Sequence, residues 1–186
     1  PFSVWEADQG GVGFLLIEKD EYFDRDSLYG TPQGDFPDNA ERFAFFSRAA
    51  LETFKRLDFR PDVIHAHDWQ AAISLAYLKF FYGQTPFFAY ARSLFTIHNL
   101  AYQGIFDKEA LGRIGLPETL FNMEDLEFYG KVNYLKAGIL YSTAVNTVSE
   151  RYSQEIQTPE FGCRLDGLLQ TRRDRLFGIL NGVDYA

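Results

Sequence analysis

The sequence predicts an α/β fold built around a doubly wound parallel sheet, on three observations. From Asn39 onward helix-like and strand-like patterns alternate in the order α-β-α-β-α-β-α-β. The connections are long enough to bring each strand back parallel to the one before it, through right-handed crossovers. Two strand-like runs, residues 62–66 and 94–97, pass straight into the polar pairs His67-Asp68 and His98-Asn99. Open α/β sheets build their sites at the carboxyl ends of such strands. His65, His67 and His98 are all the histidines of the chain, so every imidazole falls at two neighbouring strand ends.

Residues 1–18 read as two strands around the turn signal Asp8-Gln9-Gly10-Gly11, with Phe14-Leu15-Leu16-Ile17 the stronger half. Residues 20–38 scatter Tyr22, Phe23, Tyr29 and Phe36 among Asp, Gly and Pro, which predicts a long surface loop. Asp38 is then placed to cap a helix, with Glu41 three residues on as its capping-box partner. Phe43, Phe46, Ala50, Phe54 and Leu57 recur at helical spacing, and Arg60-Pro61 closes the element. The run 62–66 is continuous enough to predict burial on both faces. Trp69, Ala72, Ile73, Ala76, Tyr77 and Phe80 mark the next helix, ended by Gly83. After the strand at 94–97, residues 99–128 hold short helical pieces at most, punctuated by Gly104, Gly112, Gly115 and Pro117. A helix is predicted over 131–141, a strand over 144–148, and a short helix through Ile156 capped by Ser149. A helical turn or two around Leu165, Leu168 and Leu169 leads to a last strand over 176–180.

A length of 186 residues fits one domain with a substantial core, and 46% hydrophobic residues is a globular composition. The net charge of −8 and a pI near 4.9 argue against a nucleic-acid backbone as partner. A single cysteine, Cys163, excludes an internal disulfide and fits a reducing compartment. No apolar run is long enough to span a bilayer, so no membrane partner is expected. The aromatic content of 17% fits a Phe-rich core, with sugar-stacking faces as the second reading. The chain opens on Pro1-Phe2-Ser3 and stops just after a strand-like run, so it is expected to be a piece of something longer.

His65 and His67, two apart on a strand, share one face of the sheet and invite a metal. A hydrolytic zinc site takes three protein ligands and an open position, and only His98 is left to complete it. The bland reading makes His65 a core histidine bonded to backbone. Asp68 falls where the strand meets the next helix, and the helix dipole favours its ionised form. As an N-cap it would contribute about 1 kcal/mol; a ligand contact is compatible with that, because the residue lies on the rim of the presumed cleft. His98-Asn99-Leu100-Ala101-Tyr102-Gln103-Gly104 combines hydrogen-bonding side chains, an aromatic face and a glycine, a mixture that suits a sugar better than a phosphate. No Gly-x-Gly-x-x-Gly after a strand, P-loop or Gly-x-Ser-x-Gly elbow is present. Arg172-Arg173-Asp174-Arg175 reads as a solvated charged turn.

The chain resembles the N-terminal catalytic domain of bacterial glycogen synthases and plant starch synthases. The stretches that carry the resemblance are Pro61-Asp62-Val63-Ile64-His65-Ala66-His67-Asp68-Trp69, Phe95-Thr96-Ile97-His98-Asn99-Leu100-Ala101-Tyr102-Gln103-Gly104 and Leu135-Lys136-Ala137-Gly138. They continue with Asn146-Thr147-Val148-Ser149, Thr158-Pro159-Glu160-Phe161-Gly162-Cys163 and Leu180-Asn181-Gly182-Val183-Asp184. The resemblance implies a GT-B fold, two Rossmann-like domains facing across a cleft. It implies retaining transfer of glucose from ADP-glucose to the non-reducing end of an α-1,4-glucan, in the cytoplasm, with no cofactor and no metal. Carried over, Asp68 and His98 are the expected catalytic residues; Trp69, Asn99, Tyr102, Gln103 and Asn181 are the expected substrate-binding ones.

Two positions depart from the family pattern. Gln70 stands where some members have His, and Arg164 interrupts a Gly-Cys-Gly-Leu-Asp-Gly pattern. The family's opening strand, its Lys-x-Gly-Gly loop and its whole C-terminal domain have no counterpart in residues 1–186. The resemblance therefore implies a partial domain, inactive alone, with an unpaired sheet edge beside 63–66. A metal-dependent hydrolase using His65, His67 and His98, and a non-catalytic carbohydrate-binding fragment, are the alternatives.

Overall fold

The computed structural model describes residues 1–183; Asp184, at the end of the 180–184 stretch, lies outside them. The chain opens on a hairpin of β1 (Ser3–Gln9) and β2 (Val12–Glu18), with Gln9 opposite Val12. Gly10 and Gly11, at φ 64° and 81°, make its two-residue turn. Two successive positive φ values are what a type I′ turn requires, and glycine adopts them without a Cβ penalty.

One helical turn, α1 (Asp20–Phe23), and a minimal pair, β3 (Gly30–Thr31) with β4 (Gly34–Asp35), are the only regular pieces of the expected loop. The loop is nonetheless fixed in place. Arg42, 2% exposed, donates from Nε to the Tyr22 carbonyl at 2.7 Å and from Nη1 to the Leu28 carbonyl at 3.0 Å. Asn39 Nδ2 donates to the Tyr29 carbonyl at 2.7 Å. Arg25 forks onto both oxygens of Asp38, at 2.8 and 2.6 Å. That bidentate, charge-assisted pair takes the carboxylate expected to cap α2 (Asn39–Arg56), which starts with no side-chain cap bond. Glu41 turns to Arg113 instead of completing a capping box.

The buried stripe of α2 also differs from the expected one. It runs through Ala40, Ala44, Ser47 and Leu51, while Phe46 and Leu57 face solvent. Small side chains on that stripe let the helix backbone pack closely on its neighbour, while Phe43 and Phe54 of the expected row pack part-buried against the core. The helix ends at Arg56, ahead of the expected Arg60-Pro61 stop.

The remaining elements follow in order: β5 (Val63–His67), α3 (Asp68–Tyr77) extended by a π-helical turn to Tyr82, β6 (Arg92–Ile97), β7 (Ile105–Phe106) and α4 (Ala110–Arg113). Then come β8 (Glu127–Phe128), β9 (Lys131–Asn133), α5 (Tyr134–Tyr141), β10 (Ala144–Thr147), α6 (Glu150–Glu155), α7 (Asp166–Thr171) and β11 (Leu176–Gly178). Residues 131–133 are a strand where a helix start was expected, because Val132 pairs with both Phe106 and Glu127 in a small antiparallel sheet, β7-β9-β8. The helix begins at Tyr134, with Asn133 Oδ1 accepting the Lys136 N–H at 2.9 Å. Ser149 caps α6 as expected, its Oγ accepting the Tyr152 N–H at 3.0 Å.

The main sheet is parallel throughout, in the order β11-β10-β6-β5. Ile64, Ala66, Phe95 and Val145 are buried on one face, where α3 and α5 pack. A Cβ on Gly138 of α5 would collide with the Phe95 ring, so that glycine sets how closely helix and sheet approach. Phe177, His65, His67 and Val63, the last 56% exposed, mark the other face. β5 is the outer strand and alternates exposed with buried, so the expected burial on both its faces does not occur. No helix among the described residues is long and apolar enough to cross a membrane.

Candidate active site at two strand ends

β5 and β6 are hydrogen-bonded neighbours with His67 opposite Thr96, so Asp68 and His98 leave the sheet side by side. The Asp68 carboxylate accepts the backbone N–H of His98 at 2.9 Å. His67, not Asp68, occupies the N-cap position of α3, and neither side chain makes a capping bond. The cap expected of Asp68 is replaced by this bridge to the next strand. Asp68 sits at φ 52°, a left-handed backbone that costs a non-glycine residue about 1–2 kcal/mol. Strain of this kind persists only where its surroundings hold it, and it concentrates at functional sites.

Beside the bridge lies a cavity of about 610 Å³, within the range of small-molecule sites. Asp68, Trp69, Asn99, Tyr102 and Gln103 all line it. The Trp69 indole is buried edge-on against Phe43, with ring centroids 4.7 Å apart, and is flanked by Tyr29 at 6.0 Å and Phe106 at 5.9 Å. Gly104, at φ 63°, lies against it, and a Cβ there would overlap Trp69 Cε3. Only glycine lets the loop after β6 lie flat on the indole. Tyr102, 68% exposed, presents a free aromatic face, and Asn99 Oδ1 closes a local turn onto the Ala101 N–H at 3.0 Å.

Gln103 is oriented by the protein rather than by the cavity. Its Nε2 donates to the carbonyls of Leu100 at 3.2 Å and Cys163 at 3.1 Å, and its Oε1 accepts from Asn133 Nδ2 at 2.6 Å. Backbone carbonyls of Gln103 and Gly104 take the Leu135 and Tyr134 N–H groups, both at 3.0 Å, which fastens the loop to the start of α5. Leu100 N–H is met by the Tyr152 hydroxyl at 3.0 Å.

The histidines form a column. His65 Nε2 is 2.6 Å from Thr96 Oγ1, and that hydroxyl donates to Asn146 Oδ1 at 2.6 Å. Thr96 has one proton to give, so it accepts from His65, which carries its proton on Nε2. His65 is therefore an exposed residue bonded to a side chain, not the expected core histidine bonded to backbone. His67 Nδ1 lies 3.0 Å from His98 Nε2, and ring centroids along the column are 4.1 and 5.3 Å apart. Partial desolvation within the column, and then the charge of the neighbouring imidazoles, holds His65 below the usual histidine pKa. Burial and His98 lower His67 likewise, against a smaller opposing pull from Asp68. His67 Nδ1 and His98 Nε2 are spent on each other, and His65 Nε2 on Thr96. Among the described residues no group of three or more His, Cys, Asp or Glu converges to hold a metal.

Asn181 is not brought to the cavity. It is exposed beyond β11, on the far side of β10 from β6. Conversely Tyr29, Asp35 and Phe106 line the cavity without having been singled out for it. The Tyr29 hydroxyl accepts from Gln70 Nε2 at 2.8 Å, so the glutamine that departs from the family pattern holds the loop wall to α3. Arg164 and Cys163 both have left-handed backbones, φ 67° and 48°, which explains a glycine in the family pattern where Arg164 stands. The Arg164 guanidinium lies 5.0 Å over the Tyr129 ring.

Residues 1–171 match the family described as starch synthase catalytic domain. The chain is 53% identical over 179 residues to glycogen synthase 2 of Geobacter sulfurreducens, covering 96% of this chain and 37% of that protein. It is 46% identical over 181 residues to the glycogen synthase of Syntrophotalea carbinolica, covering 97% and 37%. Among solved structures it is similar to the catalytic domain of starch synthase IV from Arabidopsis thaliana bound to ADP and acarbose. There the TM-score is 0.87 at 34% identity, over 98% of this chain and 37% of that one. The chain thus spans about 37% of the length of the proteins it matches.

Proposed function

This chain belongs to the starch synthase catalytic domain family, and from that premise we propose that it forms one wall of a retaining glucan synthase. Its fold is the Rossmann-like α/β N-terminal part of a GT-B glycosyltransferase. The reaction proposed is transfer of glucose from ADP-glucose to the non-reducing end of an α-1,4-glucan. The observation that carries it is that Asp68, which bridges to the His98 N–H, lines one cavity together with Trp69, Asn99, Tyr102 and Gln103, while His98 stands beside that lining.

In this reading Asp68 and His98 face the donor glucose. A retaining transfer develops cation-like charge on the sugar, and a fixed carboxylate in a site that excludes water stabilises it without reorganisation. The second oxygen of Asp68 remains for the sugar while the first holds His98. Trp69 and Tyr102 supply apolar faces to the sugar rings, Asn99 hydrogen-bonding capacity, and Gln103 the shape of the wall. Asn181 stands outside the cavity, and a contact between it and a sugar hydroxyl needs the opposite side of the cleft. That side, with the nucleotide pocket, is assigned to a C-terminal domain. The polypeptide of residues 1–186 alone is accordingly expected to be inactive, and the enzyme is placed in the cytoplasm.

The test is to incubate the full-length protein with ADP-glucose and maltoheptaose and follow chain extension. Extension with an α-configured new linkage supports the reading; no extension with any nucleotide-glucose overturns it. Detectable transfer by the 186-residue polypeptide would overturn the division of labour.

A further inference from the structure

Neighbouring residues of one strand hold the backbone and the ring of His98. Asp68 takes its backbone N–H, and among the described residues its ring has one hydrogen bond, between Nε2 and His67 Nδ1 at 3.0 Å. His67 ends β5 and stands opposite Thr96 of β6. Two residues back on the same face, the His65 ring stacks against that of His67, with centroids 4.1 Å apart and planes tilted by 33°. His65 Nε2 donates to Thr96 Oγ1, which donates in turn to Asn146 Oδ1. Thr96 and Asn146 are both buried and sit opposite each other on β6 and β10. The column therefore stands on a buried polar base drawn from three strands, and its free end is His98.

We propose that His67 is a positioning residue for glucosyl transfer, holding the His98 imidazole in the orientation in which it meets the donor sugar. The inference rests on the transferase reading above, in which His98 faces the donor glucose. His98 is exposed and its ring turns about its side-chain bonds, so the backbone bond to Asp68 fixes where the residue is and leaves the direction of the ring open. The bond to His67 closes that freedom. His67 is not among the residues that line the cavity, so its effect passes through the ring it holds.

The hold is built from below. Asn146 and Thr96 decide which nitrogen of His65 carries its proton, and the stacked His65 ring limits how far His67 can turn. The contact between His67 and His98 needs one proton shared between facing nitrogens, because two imidazolium rings would each present an N–H and no lone pair. Desolvation, and then the charge of His98, lowers the basicity of His67 and favours the shared state, against a smaller pull from Asp68. A reacting group displaced by about 1 Å can lose on the order of 100-fold in rate, so a hold of this kind is read in kcat.

Steady-state kinetics of the full-length protein with ADP-glucose and maltoheptaose test this, comparing the unsubstituted enzyme with His67→Ala and His67→Asn. Alanine removes both the ring and the hydrogen bond. Asparagine removes the ring but keeps a polar atom one bond beyond Cγ, where Nδ1 stands, able to donate or accept. The side chain at 67 is exposed, so both variants are expected to fold, and urea midpoints check that they do. His67→Ala is expected to lower kcat by about tenfold or more, with kcat/KM falling equally, as for a contact that matters in the transition state. His67→Asn is expected to recover at least about threefold of that loss at a similar midpoint. A kcat for His67→Ala within about threefold of the unsubstituted value, a loss carried by KM alone, or an asparagine variant no better than alanine overturns the positioning role and leaves the transferase reading standing. Absence of extension by the unsubstituted protein overturns both.

Discussion

The Asp68 carboxylate accepts the backbone N–H of His98 at 2.9 Å and so ties together the carboxyl ends of two adjacent parallel strands. The bond makes one charged group both a structural clasp and a wall of the cavity. The unusual φ of 52° at Asp68 accompanies an aim across to β6 rather than along α3. Asparagine tolerates such a backbone better than most residues and alanine does not, so variants at this position separate strain from charge.

Gly104→Ala is expected to destabilise the fold by about 2 kcal/mol, from a left-handed backbone that now carries a Cβ and from overlap with Trp69. The indole should move, and its fluorescence should shift to the red as it gains water. Urea unfolding and emission spectra check this in a Trp5→Phe background, since Trp5 is exposed and would add its own signal. An unchanged midpoint with unchanged emission contradicts the close packing of loop on indole.

Arg42→Met should cost about 3 kcal/mol, because it leaves the carbonyls of Tyr22 and Leu28 without the donor that serves them. Hydrogen exchange over residues 20–38 should accelerate while β6 and β10 stay protected. Uniform acceleration across the chain would contradict a local staple.

Acid should loosen the strand ends before it affects the ion pairs. The folded pKa values of His65 and His67 lie below the ordinary value of about 6.5, so the unfolded chain binds more protons in the window beneath that value. Stability is then complete above about pH 6.5 and falls as the pH drops towards the folded values. The carboxylates of Asp38 and Asp107, held low by their bonds to Arg25 and Lys131, add their loss only below about pH 4. Urea midpoints at about pH 7.5 and 5.5 check the sign, and His67→Asn should flatten the difference. A midpoint that rises on acidification contradicts the neutral column.

Parallel strands and the helices between them were legible because apolar periodicity is a local signal. The residues just after β5 and β6 could be read for the same reason: Asp68, Trp69, Asn99, Tyr102 and Gln103 follow strand ends, and the sheet brings them to one cavity. Tyr29 could not be read in that way. It belongs to an irregular loop whose position depends on Arg42 and Asn39, contacts that sequence spacing does not encode. The buried stripe of α2 was misplaced because phenylalanine outweighs alanine in any hydrophobic count, yet close helix packing selects Ala40 and Ala44. Residues 131–133 read as helix because Val132 fits the stripe of α5, while its partners Phe106 and Glu127 are distant in sequence. β5 read as doubly buried from its apolar run because five residues cannot report whether a strand lies at the edge of its sheet. The unpaired edge beside 63–66 was expected only from the family resemblance, and β5 is indeed the outer strand.

The central claim is that the Asp68 charge acts on the sugar as well as on His98. The most direct measurement is kcat for glucosyl transfer from ADP-glucose to maltoheptaose by the full-length protein carrying Asp68→Asn. This change keeps an oxygen for the His98 N–H and removes only the charge. The urea midpoint is expected to hold and kcat to fall by about 10²–10³-fold, the usual loss on removing one preorganised electrostatic contact. A kcat within about threefold of the unsubstituted protein, a barrier change of well under 1 kcal/mol, would contradict it.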